Sequence, residues 1–205
     1  NGGSSGGGGY NYPPAGGSGS SSSGGDDGPV EEVELWLQFL DSVCDLQVVE
    51  VAGMSETARA AMFLNIYHTM VVHGSLVLFP PQTSANWQPF FNEVAYLLSF
   101  DVLSMAELEH NVIKASMTKP PRLAMGLGRH SSAPKSVFPG FALAKRDFRY
   151  VFCVNNGSLS MPGKICVYTP ATLDTQLDDM VGLVVSETIS VDEFKRVVTM
   201  PVLCN

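Results

Sequence analysis

The sequence predicts an α+β fold: a mainly helical single domain with a short hairpin and a small sheet, preceded by a disordered Gly/Ser N-terminal tail. Three observations carry this. Residues 1–28 hold 12 of the chain's 20 glycines and seven serines, so they have too little apolar area to offset the entropy of ordering and read as a linker. Beyond them the patterns run helices, hairpin, helix, strands, helix, an order that argues α+β rather than an alternating parallel sheet. Residues 29–205 then suffice for one domain with a sizeable core, domains commonly running to about 100–150 residues.

The elements follow in order. Pro29–Val48 reads as a first helix: Pro29 suits a first helical position, Glu31, Glu32 and Glu34 favour the positive end of the helix dipole, and Trp36, Leu37, Leu40 and Val43 give a buried stripe. Ser55 caps a second helix from Glu56 to about Val77, with apolar positions at Met62, Phe63, Ile66, Met70 and Val71, and Pro80-Pro81 ends it. Asn86–Glu93 suits a short helix. Val94–Leu98 and Val102-Leu103, either side of Ser99-Phe100-Asp101, read as a hairpin. Ser104 with Glu107 three residues on is a capping box opening a helix to about Ala115. Residues 116–147 read as loop. Tyr150–Val154 and Ile165–Tyr168 are expected to be short strands around the turn Asn155-Asn156-Gly157-Ser158. Thr169 caps, and Pro170 starts, a last helix through about Val184; Val191–Leu203 is mixed.

Composition narrows the function. No run of 18 apolar residues is present, so no membrane insertion is expected; the N-terminus lacks a basic region followed by an apolar core, so it is not a signal peptide. The net charge is −8, but residues 111–164 carry nine Lys/Arg against Asp147 alone. That basic stretch is either an anion-binding face or a solvated loop, and its Pro, Gly and Ser content favours the loop. Aromatics are not interleaved with the charges, so nucleic acid is not an expected partner. Cys44, Cys153, Cys166 and Cys204 form no C-x-x-C pair. The first three lie in apolar runs and read as buried reduced thiols, which favours an intracellular, cytoplasmic setting. Both ends read as cut from a longer protein, the C-terminal one within the domain.

The richest phrase is Leu64-Asn65-Ile66-Tyr67-His68-Thr69-Met70-Val71-Val72-His73-Gly74, which sets polar groups on and beside an apolar helical stripe. Three signatures in order across residues about 58–201 resemble the domain of unknown function 547 family. The first, roughly F-W-I-N-L-Y-N-A-L-T-L-H, stands here at Met62–His73: Asn65, Tyr67 and His73 match, and His68 replaces the second Asn. The second, a hairpin followed by S-L-D-D-I-E-H, stands at Ser104–His110. The third, roughly D-P-R-V-H-F-A-L-N-C-G-A-R-S-C-P with R-V-Y-T-P and L-D-x-Q-L after it, stands at Asp147–Pro162, Val167–Pro170 and Leu173–Leu177. Members sit in larger intracellular proteins, some beside DEP or glutaredoxin-like domains.

The departures bear on chemistry. The third signature's two cysteines fall on Asn156 and Met161, and its histidine on Val151. The family's Cys, His and Glu-His inventory suits a base-activated thiolate or thiol redox work; here the thiols of that signature are replaced. Cys153 lies three residues before Asn156, which on an alternating strand turns it to the opposite face. The catalytic candidates that remain are His73, Glu109 and His110, with Asn65, Tyr67, Arg149, Asn156 and Met161 as a vestigial site or network.

Each residue also has a plain structural role: His73 as a helix-end group, Glu109-His110 as a surface pair, His68 as exposed or packed on the loop, Arg149 in an ion pair with a carboxylate such as Glu109, and His130 as incidental. Imidazole and carboxylate at His73, His110 and Glu109 suit zinc, but the residues are scattered and lack H-x-x-x-H spacing, so neither a metal nor another cofactor is expected. Two functions remain open: a catalytically degenerate interaction or scaffold module whose partner is a protein or a further domain of the parent chain, and a hydrolase- or thiol-redox-type enzyme using the His/Glu cluster or the displaced Cys153.

Overall fold

The computed structural model describes residues 28–117, 140–158 and 161–200. The Gly/Ser tail before Gly28, the core of the basic loop with His130, and Cys204 lie outside the described residues. The chain divides into two units between Gln38 and Phe39. Helix α1 spans Gly28–Asp45 and passes into a 3-10 turn at Leu46–Val48. Its expected buried stripe is corrected in the first unit: Trp36 is 38% and Leu37 55% exposed. Leu40 and Val43, in the second, are half-buried.

Helix α2, Glu56–Leu78, is the axis of the larger unit. Ser55 caps it as expected, its hydroxyl accepting from the Ala58 N–H at 3.2 Å. Burial is broader than a single stripe: Ala60, Ala61, Phe63, Leu64, Ile66, Tyr67, His68, Met70, Val71 and Gly74 are all buried, as in a helix covered on several sides. By length and composition α2 is apolar enough to cross a membrane, and half of its apolar window is buried within the domain. Gly74 allows the next element to approach: a Cβ there would stand 2.8 Å from Val94 Cγ2 and 3.1 Å from Phe90 Cζ.

Helix α3, Ser84–Glu93, supplies Phe90 to the core. The expected hairpin is present as β1, Ala95–Leu98, antiparallel to β2, Asp101–Ser104, with Tyr96 opposite Leu103 and Leu97 opposite Val102. Its turn residues Ser99 and Phe100 both have positive φ, 51° and 69°, as two-residue hairpin turns require. Their N–H groups donate to the carbonyls of Leu46 and Gln47 at 3.0 and 3.1 Å, which anchors the turn on the 3-10 segment.

The capping box forms as expected, Ser104 and Glu107 bonding reciprocally. The helix it opens differs from expectation. After α4, Met105–Glu107, the chain widens into a π-helical turn, Leu108–Ile113, closed by Lys114 N–H to Glu109 O at 2.8 Å. The wider turn lets Leu108, Val112 and Ile113 all face the core, and the Val112 carbonyl accepts from Leu143 N–H at 3.0 Å.

The expected strands at Tyr150–Val154 and Ile165–Tyr168 are corrected. Tyr150–Cys153 is one helical turn, α5, and residues 164–169 form neither helix nor strand. Helix α6 runs Leu173–Thr188, beginning after Thr172 rather than at Pro170, because Thr169–Thr172 closes a turn first (Thr172 N–H to Thr169 O, 3.3 Å). A second hairpin follows, β3 Ser190–Asp192 antiparallel to β4 Val197–Thr199. The fold is thus α+β, mainly helical, with two small two-stranded sheets.

Candidate functional site

Successive residues of α2 lie about 100° apart, so Asn65, Tyr67 and His68 address three neighbours. Tyr67, fully buried, donates to Glu109 Oε2 at 3.0 Å. Lys114 donates to Glu109 Oε1 at 2.7 Å, and His110 Nδ1 stands 3.9 Å from the same oxygen. The π turn makes this pairing, since Glu109 and Lys114 are the two residues its widened bond joins. Burial pushes the Glu109 carboxyl up, but Lys114, His110 and the bond from Tyr67 together hold it below the usual range. Burial first, and Glu109 second, push the Tyr67 phenol well up. The pair is thus a fixed carboxylate beside a neutral phenol. Glu109 and His110 are only 16% and 18% exposed, which corrects the surface-pair reading.

His68 was expected to be exposed or packed on the loop; it is 4% exposed. Its Nε2 lies 3.0 Å from the Cys153 carbonyl and 3.2 Å from the Asn155 N–H. One tautomer donates to the first, the other accepts from the second. Among the described residues neither Nδ1 nor the Tyr168 hydroxyl makes a hydrogen bond of good geometry; the Cys166 backbone lies near the His68 ring, and the Cys153 thiol is the neighbour of the Tyr168 hydroxyl. Burial lowers the His68 pKa to about 4, so the ring is neutral near pH 7. A signal for this existed in the sequence: Leu64, His68 and Val71 share one helical face, which a fully buried α2 turns inward.

Cys153 is completely buried, and burial pushes its thiol up to about 11. The argument from strand alternation falls with the strand: α5 turns Cys153 inward as a helical residue. Cys44 is exposed and Cys166 half-buried, not buried as expected; these three described cysteines are free thiols.

The third signature is held by side chains. Asn65 brackets Tyr168, donating from Nδ2 to its carbonyl and accepting its N–H at Oδ1, both at 2.8 Å. Gln176 brackets the same strip from α6: Oε1 accepts from Thr169 N–H at 2.9 Å and Nε2 donates to the Val167 carbonyl at 2.8 Å. Asn155, 3% exposed, donates to the Pro162 and Lys164 carbonyls at 2.7 and 3.2 Å and accepts the Gly157 N–H. Gly157, at φ 76°, takes the left-handed conformation that favours glycine, and a Cβ there would make only ordinary contact with Val71 Cγ1 at 3.5 Å. Asn156 Oδ1 accepts the Ser158 N–H at 3.0 Å, and Met161 N–H donates to Ser158 O at 2.9 Å. The two positions that carry cysteine in the family are thus ordinary turn residues here.

Arg149 pairs as a structural cation, but not with Glu109. It donates to Asp147, to Asp174 and to Asp178, its closest approaches being 2.7, 2.7 and 2.8 Å. The guanidinium bonds hold the Asp147 carboxyl below its usual range. Arg149, Asp147 and Asp174, with Glu56, Thr57, Lys145, Tyr150, Leu173 and Leu177, line a depression of about 140 Å³. Asp147, 8% exposed, was missed from the sequence, although its Asp-Phe-Arg spacing stood in the quoted signature.

His73 stands apart from the Glu109 pair. Its Nδ1 is 2.7 Å from the Tyr96 hydroxyl and its ring meets Phe39 edge-on at 5.2 Å. It lies six residues beyond Tyr67, about 9 Å along the helix. The candidates therefore fall into separate clusters: Tyr67, Glu109 and His110; Asn65 with Tyr168; His73 with Tyr96; and Arg149 with its aspartates. Among the described residues no three of His, Cys, Asp and Glu are grouped so as to hold a metal ion. Chemically, the clusters offer fixed hydrogen bonds and ion pairs.

No curated protein and no solved structure matches the chain. The family described as "Protein of unknown function, DUF547" matches residues 51–181, a span that takes in Asn65, Tyr67, Glu109, Arg149 and Gln176, and the chain belongs to that family.

Proposed function

We propose that this domain is an interaction or scaffold module of a larger intracellular protein, without the thiol chemistry that the family's cysteines suit. The observation that carries this reading is where the signature side chains go. Asn155 holds the backbone at Gly157, Pro162 and Lys164, and Asn65 and Gln176 hold it at residues 167–169; Tyr67 and Lys114 hold Glu109; Arg149 holds three aspartates. Side chains committed in this way fix a surface rather than poise a reacting atom. Cys153 is no nucleophile in this setting, since burial keeps it a thiol at neutral pH. The partner in this reading is a protein or another domain of the same polypeptide, rather than nucleic acid or a membrane.

The test is alkylation of the native chain near pH 7, read cysteine by cysteine by peptide mass spectrometry. Cys44, exposed, is expected to react as an ordinary thiol, and Cys153 only after denaturation. Rapid modification of Cys153, with a reactivity midpoint well below that of a free thiol, would overturn the reading in favour of an enzyme with a displaced nucleophile.

A further inference from the structure

We propose that the N-terminal half of α1 is a docking helix for a protein groove with an apolar floor and a basic rim. This rests on the interaction-module reading and gives that module a surface and a partner chemistry. Val33 and Leu37, one turn apart on the same face, are 59% and 55% exposed. An isolated exposed aliphatic residue is ordinary; an exposed pair at i, i+4 on one helix is the start of a helix-in-groove anchor. Glu32 and Glu34 flank Val33 at about 100° on either side, so the Val33 end of the pair is bordered by carboxylates, while Trp36 and Gln38 flank Leu37.

Charge identifies the occupant. From Gly28 to Asp45 the helix carries Glu31, Glu32, Glu34, Asp41 and Asp45, and no Lys, Arg or His. A second copy of α1 laid on this face would set carboxylate against carboxylate, and an anionic lipid surface would be repelled in the same way. A groove edged with Lys or Arg satisfies the border while its apolar floor covers Val33 and Leu37. Such complementary charge speeds encounter and fixes orientation, and the apolar anchors supply most of the affinity.

The probe is a fluorescently labelled amphipathic helical peptide of leucine and lysine, titrated with the full 205-residue chain and read by anisotropy. The decisive variant is Val33→Asp with Leu37→Asp, which removes the anchors while adding two negative charges. Docking on the apolar pair predicts binding weakened by about tenfold or more, whereas purely electrostatic association would tighten. Leu35→Gln, a change without charge at an equally exposed position about 200° from either anchor, is the control and is expected to bind as the wild type does. Neutralising Glu31, Glu32 and Glu34 to Gln is expected to weaken binding and flatten its salt dependence.

The proposal is overturned by three results: no binding to the wild type, equal or tighter binding by the double Asp variant, or sedimentation showing that the wild type self-associates through Val33 and Leu37. The exposed positions keep the variants folded, which circular dichroism checks. Failure here with a slow Cys153 removes the surface and leaves the module reading; a fast Cys153 removes the module reading whatever the peptide does.

Discussion

The first and third signatures of the family lie against each other and are held by different means. The first, Met62–His73, is part of a continuous helix whose backbone groups bond one another and whose stability comes from buried apolar side chains. The third, from Asp147 to Tyr168, has a single helical turn; much of its remaining backbone is bonded by side chains sent from elsewhere, Asn65 and His68 from α2 and Gln176 from α6. Irregular backbone can be buried only where its N–H and C=O groups find partners, and here those partners are the family's polar residues. The difference teaches that a polar signature can encode a loop as firmly as an apolar period encodes a helix.

The largest expected effect tests the first mode. Phe63 is fully buried in the core, and Phe63→Ala should lower the free energy of unfolding by about 3–5 kcal/mol, the range for a large side chain removed from a packed core. Urea unfolding followed by far-UV circular dichroism measures it. A loss under about 1 kcal/mol would mean that α2 is not the packed axis of this domain.

Second comes the counterpart in the polar mode. Asn65→Ala removes both bonds to Tyr168, leaving a backbone donor and acceptor unpaired beside a residue 2% exposed. At about 1–3 kcal/mol for each orphaned group, the expected loss is about 2–4 kcal/mol by the same measurement. Hydrogen exchange is expected to accelerate at Tyr168 more than in the middle of α2. Uniform acceleration across the domain would show that the bracket is not local.

These two modes also decide what could be read from the sequence. The period of α2, the Ser55 and Ser104 caps and the hairpin around Ser99-Phe100 were legible because each is a local pattern with a local cause. The Tyr150–Val154 and Ile165–Tyr168 segments were misread as strands because apolar runs of that length suit a strand or a buried helical turn equally. What decided between them was a set of partners more than 80 residues away, as with His68 and Cys153. The site was legible only as a set of polar names. Their division into separate clusters follows from helical phase and from the π turn; His68 emerges only when α2 is seen to be buried on several sides, and Asp147 only when Arg149 is seen to bridge it to the aspartates of α6.

A third prediction uses pH to open the polar mode alone. The His68 pKa lies at about 4 in the folded chain, against an ordinary value of 6.5. A depressed histidine binds fewer protons folded than unfolded, so protonation favours unfolding. The penalty is absent above pH 6.5 and grows as pH falls toward 4. It amounts to about 2 kcal/mol at pH 5 and about 3 kcal/mol at pH 4. The window from 6.5 to 5 lies above the titration of Glu109 and Asp147, whose carboxyls are held low. Stability measured across that window should fall in the wild type and stay nearly flat in His68→Gln. An equal slope in both would assign the effect to another group.

The smallest effect is the most discriminating, because it holds the bonding pattern fixed and changes only burial. Gln176 grips Thr169 N–H and the Val167 carbonyl with the same two arms that Asn65 sets on Tyr168, but its bonds are exposed. Water can replace it at both ends when it is removed, so each lost bond costs only the small net value of an exposed hydrogen bond. Gln176→Ala is therefore expected to cost about 1 kcal/mol, well below Asn65→Ala, although each substitution deletes one amide and two bonds to neighbouring stretches of backbone. A double-mutant cycle completes the comparison. The two brackets hold one strip of chain, so once either is gone the strip relaxes and the second loss should cost less, giving a coupling of about 0.5 kcal/mol or more. Strict additivity, or equal single losses, would show that the 167–169 strip is fixed by its own packing and that the paired amides merely decorate it.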